Sequence, residues 1–219
     1  MSPTPSDPMR DLSHEALDIL RRAELCLARG EFSLASDMLE RCLVLAPDHP
    51  GLLRRLAVAL HMQEHFREAA AVLQRVLLQC PGDVTVYNNL GSALGAAGDM
   101  EGAAAALRRA CEMAPERANS WYNLAKALEG TSDAAGACAA LTRFLELRPE
   151  DTEARILRAD SLKILGRLKE AESDLRHVLA THPDSIEAWT PLVNLKSVKL
   201  SDQDLSEIKR IHSRQGTRE

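Results

Sequence analysis

Small and large apolar residues recur along this chain at helical spacing, and the whole pattern starts again every 34 positions. Prolines mark the period: Pro47, Pro81, Pro115, Pro149 and Pro183 are evenly spaced. Counted back from each proline, five repeats start at Ala16, Pro50, Val84, Ala118 and Thr152. Their eighth position is small every time (Ala23, Ala57, Gly91, Ala125, Ala159), and their twentieth is always alanine (Ala35, Ala69, Ala103, Ala137, Ala171). Their twenty-fourth is always leucine (Leu39, Leu73, Leu107, Leu141, Leu175). Helices approach closely only where the side chains between them are small. The spacing therefore predicts two antiparallel helices per repeat and no strand. Gly30, Gly98 and Gly166 fall between the two helices, where the chain leaves the first helix and φ can be positive. Glu64 and Ser132 take that place in the other two repeats, and Arg22 and Arg158 interrupt the leucines of the seventh position.

A fixed period of this length is the mark of a stacked array, in which each repeat buries its apolar face on its neighbours. The division expected is a flexible tail over residues 1–10 and a repeat array over 11–185. The five repeats span 16–49, 50–83, 84–117, 118–151 and 152–185. Residues 186–219 form a degenerate sixth unit that caps the array. In that unit Asp184 or Ser185 is available to cap a helix opening at Ile186, with Pro191 early in it and Asn194 to Leu200 running on. Ser201-Asp-Gln-Asp204 opens a last helix reaching Ile211.

The third and fourth repeats read Val84-Thr-Val-Tyr-Asn-Asn-Leu-Gly-Ser-Ala-Leu and Asn119-Ser-Trp-Tyr-Asn-Leu-Ala-Lys-Ala-Leu. With the proline period, these segments resemble the tetratricopeptide repeat (TPR) family over residues 16–185. The first repeat departs from that pattern, with Ile19 and Cys26 at its aromatic positions, as a terminal repeat would. The resemblance implies an all-α, right-handed α-solenoid of five helix pairs plus the C-terminal unit. It also implies an inner groove lined by the first helix of each repeat, and a non-catalytic role in binding an extended peptide segment of a protein partner. Arg54, Asn88, Asn89, Asn119, Tyr122, Asn123 and Lys126 stand at groove positions and are the peptide-binding candidates. Asn89 and Asn123 share the sixth position of adjacent repeats, and an asparagine amide can pair with both the donor and the acceptor of a peptide backbone. The two-carboxylate clamp of chaperone-binding members is matched only in part, because Val58, Asn119 and Asn123 stand at three of its five positions. A single acidic group near Arg54 or Lys126 fits better.

Glu187-Ala-Trp-x-x-Leu-x-Asn-Leu-Lys196 with Ser201-Asp-x-Asp204 resembles a second pattern, the junction of bacterial proteins that join a TPR array to a sulfotransferase domain. This implies an alternative, a substrate-docking region whose partner is the protein's own downstream domain. The Pro-Arg-Ser-Gly type of loop that holds the phosphosulfate donor in that family does not occur in these residues.

Composition narrows the remaining choices. Apolar residues make up 45% of the 219, enough for a continuous core, and the net charge of −5 argues against a nucleic-acid partner. No apolar run approaches the roughly 18 residues of a membrane span, and the start, Met1-Ser-Pro-Thr-Pro-Ser-Asp-Pro, lacks the apolar segment of a secretory signal. A cytoplasmic location is expected. Five cysteines without a CxxC pair read as small buried apolar residues in a reducing compartment. His61-Met-Gln-Glu-His65 fits the wording of a zinc-protease motif, but it spans the turn of the second repeat and not one helix. No metal, cofactor or catalytic residue is expected.

Overall fold

The computed structural model of the chain describes residues 12–195 and 199–215. The expected tail, residues 1–10, lies outside them. Among the described residues the chain is all-α, with twelve helices in sequential antiparallel pairs. The pairs are α1 (His14–Arg29) with α2 (Phe32–Leu45), α3 (Pro50–Met62) with α4 (Phe66–Gln79), α5 (Val84–Ala96) with α6 (Met100–Met113), α7 (Ala118–Gly130) with α8 (Ala134–Leu147), α9 (Thr152–Ile164) with α10 (Leu168–Thr181), and α11 (Ile186–Val193) with α12 (Asp202–Gln215). The chain divides into two compact units after Pro115, the first holding α1 to α6 and the second α7 to α12. In the first unit each helix packs on the next; in the second the same holds from α7 to α11.

The pairs close where the sequence is smallest. All five alanines of the twentieth position are fully buried, and the leucines of the twenty-fourth are at most 2% exposed. Gly91 shows how tight the approach is: a Cβ there would lie 2.4 Å from Leu107 Cγ, so no larger residue fits without displacing the Leu107 side chain. The turns between paired helices are left-handed in every repeat. Gly30, Gly98 and Gly166 have φ of 77°, 88° and 73°. Glu64 and Ser132 are held at 63° and 62°, a conformation in which a Cβ is crowded by the neighbouring carbonyl. The array therefore imposes this turn whether or not glycine is present.

Caps begin the helices. Asp83 accepts from Thr85 N–H at 2.9 Å and Val86 N–H at 3.1 Å, Asp151 from Ala154 N–H at 2.9 Å, and Ser185 from Ala188 N–H at 3.3 Å. The second helices use two other devices. Asp99 and Asp133 cap onto Gly102 and Gly136, where the carboxylate occupies the space of a side chain. His65 and Arg167 instead face a glutamate three residues on, Glu68 at 3.7 Å and Glu170 at 2.7 Å.

The two arginines of the seventh position have different causes. Arg22 is exposed on α1, which has no helix packed before it among the described residues. Arg158 lies inside the second unit, where Nε and Nη2 donate to Asp174 Oδ2 and Oδ1 at 2.7 and 2.6 Å. Arg155 adds a longer contact to the same carboxylate at 3.6 Å. Asp174 is buried, and it holds the place that Val72, Ala106 and Ala140 hold in other repeats.

The sixth pair keeps the phase but not the packing. Its helices start 34 residues after α9 and α10, yet α11 has only eight residues. Pro191 is its sixth residue, not an early one; it lacks the N–H that would bond Glu187 O, and the helix ends two residues later at Val193. Val193, Leu205 and Lys209 replace the small, small and leucine positions that close the other pairs. The residues carrying the second resemblance have packing roles. Trp189 Nε1–H donates to Pro183 O at 2.8 Å. Ser201 and Asp204 cap each other's N–H at 2.9 and 3.1 Å, and Asp204 meets Arg176 at 3.4 Å.

Candidate functional site

The first helices of the first unit carry the groove positions, and the structure closes one gap between them and leaves the next open. Between α1 and α3 the gap is bridged by Arg55, whose Nε–H donates to Glu24 Oε1 at 3.0 Å. Between α3 and α5 lies a cavity of about 110 Å3. Ala57, Val58, His61 and Met62 of α3, Leu73 of α4, and Asn89 and Ser92 of α5 line it. Val58 and Met62 are 46% and 53% exposed although large and apolar. The His61 ring is held edge-on against Phe66, centroids 5.1 Å apart. Asn89 is exposed and forms no hydrogen bond with the described residues, so its amide faces the cavity with donor and acceptor unused.

Its sequence neighbours are less free. Asn88 spends its amide on its own helix, donating to Val84 O at 3.0 Å, and its Oδ1 is buried without a partner among the described residues. Arg54 is committed to Asp83 at 2.6 Å, which neutralises the charge offered to an acidic ligand.

In the second unit Tyr122, Asn123 and Lys126 stand on α7 with Asn119. The Tyr122 hydroxyl donates to Glu153 Oε1 at 2.5 Å, linking α7 to α9, and its ring packs on Phe144 with centroids 5.3 Å apart. Burial, then the bond to Glu153, pushes the phenol well above its ordinary pKa. What this tyrosine offers a ligand is its ring and not its proton. Lys126 Nζ lies 5.9 Å from the centre of that ring. Glu129 is raised by burial and by Asp160, with Lys126 opposing. Asn119 is exposed and Asn123 half-buried, and neither forms a hydrogen bond with the described residues.

The seven predicted residues thus fall into two groups, Arg54, Asn88 and Asn89 in the first unit and Asn119, Tyr122, Asn123 and Lys126 in the second. Val58 was visible in the sequence only as the wrong residue for a carboxylate clamp; its role as cavity wall follows from packing. The bridges Glu24–Arg55 and Tyr122–Glu153 both join residues 31 apart, a spacing that could have been searched for. His61 and His65 lie either side of the turn, and among the described residues no group of three metal-ligating side chains forms. The five cysteines are free, four of them buried. No helix among the described residues is long and apolar enough to cross a membrane.

Known structures share this arrangement. A MamA fragment from Desulfovibrio magneticus RS-1, residue 41 to its end, superposes with a TM-score of 0.73 at 19% identity, covering 80% of this chain and 99% of that one. A tetratricopeptide repeat protein from Parabacteroides merdae gives 0.74 at 16% identity, covering 92% and 80%. YrrB, described as a TPR protein with an unusual peptide-binding site, gives 0.72 at 16% identity, covering 80% and 90%. At these identities the likeness is one of fold. No curated protein matches the chain in sequence. The sequence matches the Tetratricopeptide repeat description at residues 16–59, 63–118, 88–138 and 122–186, well over half of its length. The chain belongs to the tetratricopeptide repeat family.

Proposed function

We propose that this protein is a non-catalytic interaction module that binds an extended peptide segment of a partner protein on the inner faces of its first helices. The open cavity beside Asn89 carries the reading. It sets an unpaired amide next to an apolar recess, which suits a backbone amide group followed by one aliphatic side chain. Burying such a side chain contributes about 1.5–3 kcal/mol, and each neutral hydrogen bond about 0.5–1.5 kcal/mol. In the second unit Asn119 and Asn123 offer further amides, and the Tyr122 ring and Lys126 offer an apolar and a cationic contact. Membership of the family supports the reading, since repeats of this kind mediate protein–protein contacts. YrrB, similar in fold, is described as having a peptide-binding site. The same surface would serve if the segment came from the protein's own downstream domain, as the resemblance of the last unit to sulfotransferase-linked arrays implies.

The test is a selection of linear peptides from a random library on the intact chain, followed by titration against variants. Val58→Asp should abolish binding and Asn89→Ala should weaken it about threefold to tenfold, with helical circular dichroism unchanged. Selected peptides that bind both variants as tightly as the parent would remove the inner face of the first unit from the site.

A further inference from the structure

The first unit contains two equivalent gaps, each between the second helix of one pair and the turn that ends the first helix of the next. Between α2 and the α3–α4 turn, Gln63 stands at the fourteenth position of its repeat and Ser36 at the twenty-first of the repeat before. The Gln63 amide donates to Phe32 O at 3.2 Å and to Ser36 Oγ at 3.1 Å. Ser36 is buried. A carboxamide thus closes this gap.

One repeat on, both residues of that contact are alanine. Ala97 and Ala70 take the places of Gln63 and Ser36, and a cavity of about 410 Å3 stands there, between α4 and the α5–α6 turn. Within the second unit the same two positions, on α8 and at the end of α9, hold the larger Cys138 and Leu165. The cavity beside Ala97 also has polar walls, formed by Arg67, Gln74 and Asp99. Arg67 and Gln74 are exposed and make no hydrogen bond or ion pair with the described residues. Asp99 accepts from Gly102 N–H through Oδ1 at 2.9 Å, which leaves Oδ2 able to accept from a ligand.

We propose that this gap is a binding site for a glutamine side chain presented by a partner protein, entering where Gln63 enters one repeat earlier. A carboxamide both donates and accepts, so its NH2 group can bond Asp99 and its carbonyl can accept from Arg67 or Gln74. A charged side chain fits less well, because a carboxylate meets Asp99 and an ammonium meets Arg67. A purely apolar side chain would cover these polar walls without pairing them. The cavity shares no lining residue with the recess beside Asn89, so the two sites stand or fall separately.

The experiment selects short peptides from a random display library on the full chain, after depletion on the variant Ala70→Ser/Ala97→Gln. That variant copies the filled gap of the neighbouring repeat, and depletion on it removes peptides that bind elsewhere, the inner-face recess included. Arg67→Ala, an exposed substitution, replaces it for depletion should circular dichroism show that the filled variant folds poorly. The peptides that remain should share a glutamine. One of them, titrated by fluorescence anisotropy, should bind the filled variant at least tenfold more weakly and Arg67→Ala about tenfold more weakly. Replacing the shared glutamine by glutamate should weaken it as much, and Val58→Asp in the protein should leave it unchanged. Remaining peptides without a shared glutamine, no remaining peptides, or affinity that survives both gap variants overturns the proposal. So does sedimentation showing a dimer of the free chain that the filled variant or Arg67→Ala dissociates, since the occupant is then a second copy.

Discussion

The buried pair Arg158–Asp174 gives the sharpest energetic test of how these repeats pack, because the chain contains its own reference. The third repeat has Leu90 and Ala106 at the equivalent positions, and the fourth has Leu124 and Ala140. Asp174 is about 5% exposed, and Arg158 grips both of its oxygens with Arg155 at 3.6 Å behind. Removing one partner strands a charge away from water, which costs about 3–5 kcal/mol. Asp174→Ala should fall within that range, since it strands two arginines. Arg158→Leu should lie at its lower end, since Arg155 remains near the carboxylate. The double variant Arg158→Leu/Asp174→Ala restores the leucine–alanine pair of the neighbouring repeats, and replacing a buried pair by apolar residues is often neutral or stabilising. It should be more stable than the sum of the single effects by about 2 kcal/mol or more. The assay is urea denaturation of the full chain followed by helical circular dichroism for the four proteins of the cycle. Strictly additive losses would show that the two charges do not depend on each other, and the reasoning from repeat equivalence would fail.

Three further outcomes follow from single positions. Gly91→Ala should destabilise by about 1–3 kcal/mol in thermal melts, since its Cβ would meet Leu107, and Leu107→Ala in the same chain should offset part of the loss. Glu64→Gly and Ser132→Gly should each raise stability by up to about 1 kcal/mol, because both positions are left-handed; equal or lower melting temperatures would contradict the strain. Asp204 is buried, which would raise its pKa, but hydrogen bonds from Ser201 and Arg176 outweigh that and hold it below the ordinary carboxylate value. A lowered folded pKa stabilises above the unfolded value near 4 and is lost as pH falls through the folded one. Trp189 fluorescence should therefore report loosening of the last pair below about pH 4, and Asp204→Asn should flatten that dependence.

Most of the fold was legible because one rule generates it. Positions 8, 20 and 24 set how closely two helices approach, and the same 34-residue spacing separates the starts of the helices. What the sequence concealed lies where a residue breaks the pattern and a distant residue answers. Arg158 looks like a fault until Asp174 is found 16 residues on, and Arg22 looks the same but is merely exposed. Glu64 and Ser132 look like lost turns, yet the packing on either side imposes the glycine conformation on them. In the sixth unit the first helix ends at Val193, and of the stretch expected to run on from Asn194 to Leu200, residues 196–198 lie outside the described residues. The site was less legible than the fold. Periodicity places Asn89 on the inner face, but it does not show that Asp83 takes up Arg54, that Glu153 takes up the Tyr122 hydroxyl, or that Val58 and Met62 stay uncovered.

The central claim is that the open recess between α3 and α5 is where a peptide segment binds. Amide hydrogen exchange of the intact chain, with and without a saturating selected peptide, tests it most directly. Slowed exchange in α3 and α5 around Val58, Met62 and Asn89, with α2 and α4 unchanged on their outer faces, is the result this account predicts. Protection confined to the second helices, or to α11 and α12 alone, would contradict it.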